Sequence, residues 1–248
     1  MNRTRRTAVA LATLPALFAA LALAGCQKTD DAVFGQRVHA YLMAHPEVIR
    51  EAADKLQQNE QVAAAKASTD AIKKYRAALE NDPRDIVVNP AGKLTVVEFF
   101  DYRCGYCKLA APEVVKLIQQ NPDIRFVFKQ FPIFGEVSDT AAKVALTPAA
   151  KPKALALYQS WMAEKALDDT LLDHDLTAAG VDPAQARKAA ADPAIARQIL
   201  DTRALAESLK IAGTPAFVVG DTLIPGADIP ALRAAITIAK DGGLKKLG

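Results

Sequence analysis

The stretch KLTVVEFFDYRCGYCKLAAPEVVKLIQQN, residues 93–121, decides how the rest of this chain folds. Its opening run, KLTVVEFF, is β-branched and aromatic and predicts a buried strand. Past the cysteines, Leu109, Val114, Leu117 and Ile118 recur near one face of a helix that stops before Pro122. A strand therefore delivers Cys104 and Cys107 onto a helix N-terminus. There the unpaired backbone N–H groups and the positive end of the helix dipole favour a thiolate at Cys104, with Cys107 one turn on and beneath it. This geometry makes Cys104 the exposed nucleophile and Cys107 the thiol that resolves a mixed disulfide. Gly105 and Tyr106 shape the surface beside the thiolate.

Two other chemistries use the same spacing. A zinc site needs two further ligands, and the remaining His39, His45, His174 and Cys26 all lie far from the pair in sequence. A structural disulfide across so small a ring removes little entropy from the unfolded chain. A redox pair is the reading that uses both flanking elements.

Outward from this stretch, strand and helix alternate. DIRFVFKQF, residues 123–131, reads as the next strand. From Val137 to about Lys210 the chain is alanine-rich and helical, punctuated by Pro148, Pro152, Gly180 to Pro183, and Asp192-Pro193. Each Asp-Pro pair suits an N-cap followed by proline in the first turn. TPAFVVG and TLIPG then form a hairpin across Gly220-Asp221, and a last helix spans about Asp228 to Lys240. The aromatics Phe99, Phe100, Phe217 and Trp161 belong to the core.

Upstream, two helices are expected over 33–44 and 46–80, parted at His45-Pro46 because the residue before proline is pushed out of helical conformation. In the second, Val62, Ala65, Thr69, Ile72, Arg76 and Leu79 make a weak heptad. It is either a narrow oligomerising seam or part of a solvated single helix, since KLQQNEQ, residues 55–61, offers little to bury.

The first 25 residues have the layout of an export signal: a basic start, an apolar run from Ala8 to Ala24, and small residues at its end. LAGC, residues 23–26, resembles the lipobox of bacterial lipoproteins, in which the cysteine is acylated. Lipidation of Cys26 also accounts for the odd one of three cysteines in an exported chain. Residues 26–32 read as a polar tether, and Gln27 favours the outer over the inner membrane. The full chain carries 31 basic and 28 acidic residues. Arg3, Arg5 and Arg6 are the three extra cations, so the chain without its signal is neutral and nucleic-acid binding has no electrostatic support.

Residues 99–112 resemble the active-site stretch of the thioredoxin superfamily, with Pro112 five positions after Cys107. GTPAF, residues 213–217, is similar to that family's proline loop, and Glu98, six positions before Cys104, matches the acid of DsbA-type proteins. The helical block at 137–210 is the mark of the DsbA-like branch. YLMAHPEVIREAADKL, residues 41–56, resembles the N-terminal extension of ScsC-like members.

The resemblance implies an α/β thioredoxin fold over 84–248 with a helical insertion, behind a helical extension at 33–82. It implies a cis bond before Pro215, Thr214 beside the sulfurs, and Thr214 and Pro215 pairing with an extended substrate while Tyr102 and Tyr106 border its groove. Glu98 would shuttle the proton of Cys107; the alternative is an ordinary buried acid paired with Lys129. The implied activity is thiol:disulfide exchange on exported cysteine-containing proteins at the periplasmic face of the envelope. Isomerase or reductase action is favoured, with a dithiol oxidase and a non-catalytic lipoprotein scaffold or chaperone as alternatives. No cofactor and no metal are expected. A membrane redox partner resets the pair, and residues 33–80 provide for a homo-oligomer.

Overall fold

The computed structural model describes residues 26–244. The expected signal segment, residues 1–25, lies outside them, and so do the side chains of residues 26–30, the Cys26 thiol included. The chain divides into two compact units, one ending at Val62 and the other beginning at Ala63.

In the first unit, α1 (Cys26–Ala44) precedes the start of α2 (Glu47–Glu80), with the expected break at His45-Pro46. The tether expected at 26–32 is instead the opening of α1. No proline or glycine interrupts these residues. Phe34, Val38 and Tyr41 are exposed apolar residues at three-four spacing on α1, and Ile49, Leu56 and Val62 are exposed along α2.

The second unit is a five-stranded sheet in the order β1-β3-β2-β4-β5, with β1 (Ile86–Val88), β2 (Leu94–Phe100), β3 (Ile124–Gln130), β4 (Ala216–Val219) and β5 (Thr222–Pro225). β2 and β3 run parallel, joined by α3 (Gly105–Gln120), and the remaining pairs are antiparallel. β1 has no counterpart in the sequence reading, because its three residues carry too short a pattern to stand out. The β4–β5 hairpin turns at Gly220, whose φ of 57° is costly for any residue with a Cβ. Between β3 and β4 the helical insertion comprises α4 (Glu136–Ala145), α5 (Ala154–Ala163), α6 (Asp169–Ala178), α7 (Pro183–Ala190) and α8 (Pro193–Ser208). Asp182 and Asp192 cap α7 and α8 from immediately before Pro183 and Pro193, accepting from the Gln185 and Ala194 amides at 3.0 and 2.8 Å. α9 (Ile229–Leu244) closes the unit and continues through Gly242-Gly243, past its expected end.

Strand alternation sorts the side chains onto two faces. Val96, Phe100, Phe126 and Phe128 join a cluster with α3, α5 and α9, while Val97, Phe99 and Val127 join Ile72 and Leu79 of α2 and Leu205 and Ala206 of α8. Ile72 and Leu79 are fully buried there, so these two heptad positions pack within the unit and face no second copy. Each contributes about 1.5–3 kcal/mol by leaving water. On the same face Lys129 forms a buried ion pair with Asp85 and donates to the Ala78 carbonyl at 2.6 Å. In the β2–β3 register Glu98 sits beside Phe128 and Phe99 beside Lys129, so Glu98 and Lys129 project from opposite faces and the suggested pair between them does not form.

Candidate active site

The turn between β2 and α3 is built on Asp101. Its buried carboxylate accepts from the Arg103 amide at 2.6 Å and the Ser138 hydroxyl at 2.8 Å through one oxygen. Through the other it accepts from the Ile133 and Phe134 amides at 2.7 and 3.0 Å. One carboxylate thus satisfies the turn, the loop after β3 and the start of α4 together. The Cys104 amide donates to the Asp101 carbonyl at 3.1 Å, which places Cys104 as the N-cap of α3 with φ −69° and ψ 120°.

At that position Cys104 stands at the positive end of α3, which has no acid in its first turn to oppose a thiolate. The Cys107 thiol and the first-turn amides of Tyr106 and Cys107 lie beside the Cys104 sulfur, with no side-chain hydrogen bond capping the helix. The protonated Cys104 thiol reaches the Thr214 carbonyl at 3.1 Å. The neighbouring Cys107 thiol, as the largest cause, together with the first-turn amides brings the Cys104 thiol down to about 6 against the opposing effect of burial. Cys107 moves the opposite way, raised first by burial, then by the Cys104 sulfur and the nearby Glu98 carboxylate. One thiol is set to ionise and the other to keep its proton. Cys104 is only 2% exposed, so the expected open nucleophile is recessed, with Gly105 and Tyr106 exposed beside it.

Glu98 projects from β2 on the same face as Cys107 and is fully enclosed. Burial pushes its carboxyl up to about 8, against the one hydrogen bond that lowers it, from the Tyr158 hydroxyl at 3.2 and 3.3 Å to its two oxygens. The Thr214–Pro215 bond is cis, as the resemblance implies, and Thr214 lies against Cys104. The Thr214 hydroxyl has no hydrogen-bond partner among the described residues. Pro112 lies inside α3. Tyr106 is exposed, but Tyr102 is core: it packs edge-on against Trp161 and accepts from Gln130, and so borders no groove.

The structure thus brings Cys104, Cys107, Glu98, Thr214 and Pro215 to one place. Sequence reasoning missed Asp101 and Tyr158. Asp101 carries a usable signal, an acid directly after a buried strand and before a helix start, whereas Tyr158 lies 60 residues from Glu98 and only the packing of the insertion joins them.

Paired thiols of opposite character at a helix N-terminus, facing a proline loop on a mixed sheet, define the thioredoxin-type class of thiol:disulfide oxidoreductases. Residues 95–236 match the DSBA-like thioredoxin domain, and the chain belongs to that family. Residues 30–63 match the copper resistance protein ScsC N-terminal domain. Among solved structures, BcfH of Salmonella enterica Typhimurium is 36% identical over 89% of this chain and 99% of its own, with a TM-score of 0.69. A linker-deletion variant of Proteus mirabilis ScsC is 27% identical over 88% of this chain and 98% of its own, at 0.65. A thioredoxin-like oxidoreductase from Silicibacter pomeroyi is 37% identical over 67% of this chain and 98% of its own, at 0.63. Curated relatives match over shorter parts: a chloroplastic thioredoxin-like protein of Arabidopsis thaliana is 42% identical over 18% of either chain. The chain spans about a fifth to a quarter of the length of the first two curated relatives it matches.

The raised Glu98 carboxyl has a consequence for stability. Between the ordinary value of 4.5 and about 8, the folded protein holds a proton that the unfolded chain releases, so this group's contribution is full at low pH and is lost as pH rises. Glu98→Gln removes that loss. Its stability gain over the native protein in urea unfolding is expected to grow from little near pH 4.5 to on the order of 3 kcal/mol by neutral pH; parallel curves for the two proteins would contradict the raised carboxyl.

Proposed function

We propose that this chain is an envelope thiol:disulfide oxidoreductase acting on cysteines of exported proteins, of isomerase or reductase type. Cys104 attacks, Cys107 resolves, Glu98 handles the proton, and Thr214, Pro215 and Tyr106 receive the substrate. The observation that carries this reading is the placement of the thiols, Cys104 at the cap of α3 against the Thr214 carbonyl of the cis-proline loop and Cys107 fully buried one turn on. A membrane redox partner would restore the pair after each turnover.

Support for the isomerase direction comes from the helices ahead of the domain. Their match to the ScsC N-terminal domain, and the exposed Phe34, Val38 and Tyr41 on α1, fit a segment that joins copies of the chain. The test is made in the full mature protein with Phe34→Asp and Val38→Asp together. The variant is expected to sediment as a monomer and to lose most of its ability to rescue a scrambled disulfide substrate, while Cys104 alkylates at the native rate. A native protein that is already monomeric and rescues nothing would end the isomerase reading and leave a dithiol oxidase.

Periplasmic exposure fits the periplasmic thioredoxin-like protein of Salmonella enterica among the relatives. The lipid anchor rests on LAGC at residues 23–26, and the outer membrane on Gln27. Among the described residues no helix is long and apolar enough to cross a membrane. Cys26→Ser is expected to move the protein from the membrane to the soluble fraction, and continued retention would count against acylation.

A further inference from the structure

The helical insertion places one group in direct contact with the proton site, and the mechanism so far gives it no task. Tyr158 of α5 reaches across to β2 and donates to both oxygens of Glu98, at 3.2 and 3.3 Å. Among the described residues it is the carboxylate's hydrogen-bond partner. Its ring is held by Phe128 at 5.0 Å, Phe100 at 5.2 Å and Tyr102 at 6.5 Å between centroids, so the hydroxyl has little freedom to point elsewhere. The titratable groups facing Glu98 are Cys107 of α3, Tyr158 of α5 and Tyr102 of the turn before α3. Its neighbours on β3 and β4 are Phe128 and Phe217, and α9 contributes Leu232 and Ile236 to the same cluster.

We propose that Tyr158 is a positioning residue for disulfide exchange, fixing the Glu98 carboxylate where it can take the Cys107 proton. The proposal rests on the role given to Glu98 above. In the resolving step the substrate is bound through a disulfide to the Cys104 sulfur. Glu98 takes the proton from Cys107, the Cys107 thiolate attacks the Cys104 sulfur, and the Cys104–Cys107 bond forms. The bond to the substrate breaks, and its sulfur leaves with the electron pair as a thiolate that water protonates. The substrate disulfide has gained two electrons and the cysteine pair has lost two.

Burial keeps Glu98 largely protonated at neutral pH, and the hydrogen bond to the anion opposes this, enlarging the ionised fraction that can accept a proton. Tyr158 suits the task because burial raises its own phenol well above the ordinary value, so it stays a donor and never competes for the proton. The insertion thus reaches into the chemistry through one hydroxyl.

The test follows release of a mixed disulfide from Cys104 as a function of pH in the full protein, the native chain alongside Tyr158→Phe, Glu98→Gln and the double variant. Tyr158→Phe keeps the ring and is expected to slow release about fivefold at neutral pH, the worth of one ordinary hydrogen bond, with the difference narrowing above about 8. In the Glu98→Gln background the same change is expected to do nothing further. Site-specific 3-fluorotyrosine at 158, a stronger donor of nearly the same shape, is expected to shift the profile to lower pH and serves if the Phe variant folds poorly. An equal slowing by Tyr158→Phe with and without Glu98 would make the residue merely structural and overturn the proposal. A Glu98→Gln profile identical to the native one would instead remove the Glu98 reading, and the proposal with it.

Discussion

The placing of Cys104 at the cap of α3 with Cys107 buried one turn on is the constraint on which the site depends. Two buried thiols one helical turn apart cannot both carry charge at modest cost, so whatever favours a thiolate on one raises the other. The fold chooses between them by position. Cys104 caps α3, where first-turn amides and the helix dipole favour an anion, whereas Cys107 lies one turn on, inside the helix, with Glu98 nearby. An attacking thiolate and a protonated reserve follow from one turn of helix.

Keeping that turn in register falls to groups outside it. Asp101 ties the turn to the loop after β3 and the start of α4 with four hydrogen bonds. Removing such a carboxylate would strand several buried donors at about 1–3 kcal/mol each. On the far face, Lys129 and Asp85 anchor β3 and the end of α2, and the loss of either partner leaves an uncompensated buried charge. The insertion supplies the wall behind the sulfurs, where Trp161 packs on Tyr102 and Tyr158 packs on Phe100 and Phe128. The helices that distinguish this domain from a minimal thioredoxin sheet therefore line its proton site.

Much of this is legible in the residues because the signals are local. The strand, the cysteine spacing and the helix after it occupy one continuous stretch, and the Asp-Pro caps of α7 and α8 act within three residues of themselves. What escapes depends on contacts distant in sequence. The exposure of Cys104, the core placement of Tyr102 and the contact between Tyr158 and Glu98 are set by how α5 and the proline loop close over the turn. The pairing of Lys129 is hidden for a different reason: strand alternation places it on the face opposite Glu98, and only the register of β2 against β3 reveals which residues share a face. The heptad of α2 misleads at Ile72 and Leu79 because an apolar repeat does not say whether it meets another copy or its own domain.

The central claim, that the fold separates the two thiols, is tested most directly by following cysteine Cβ resonances of the reduced, selectively labelled protein through a pH titration. The account predicts that Cys104 titrates near pH 6 while Cys107 keeps its proton well above the ordinary thiol value of 9.0. Two thiols titrating together near the ordinary value would contradict it.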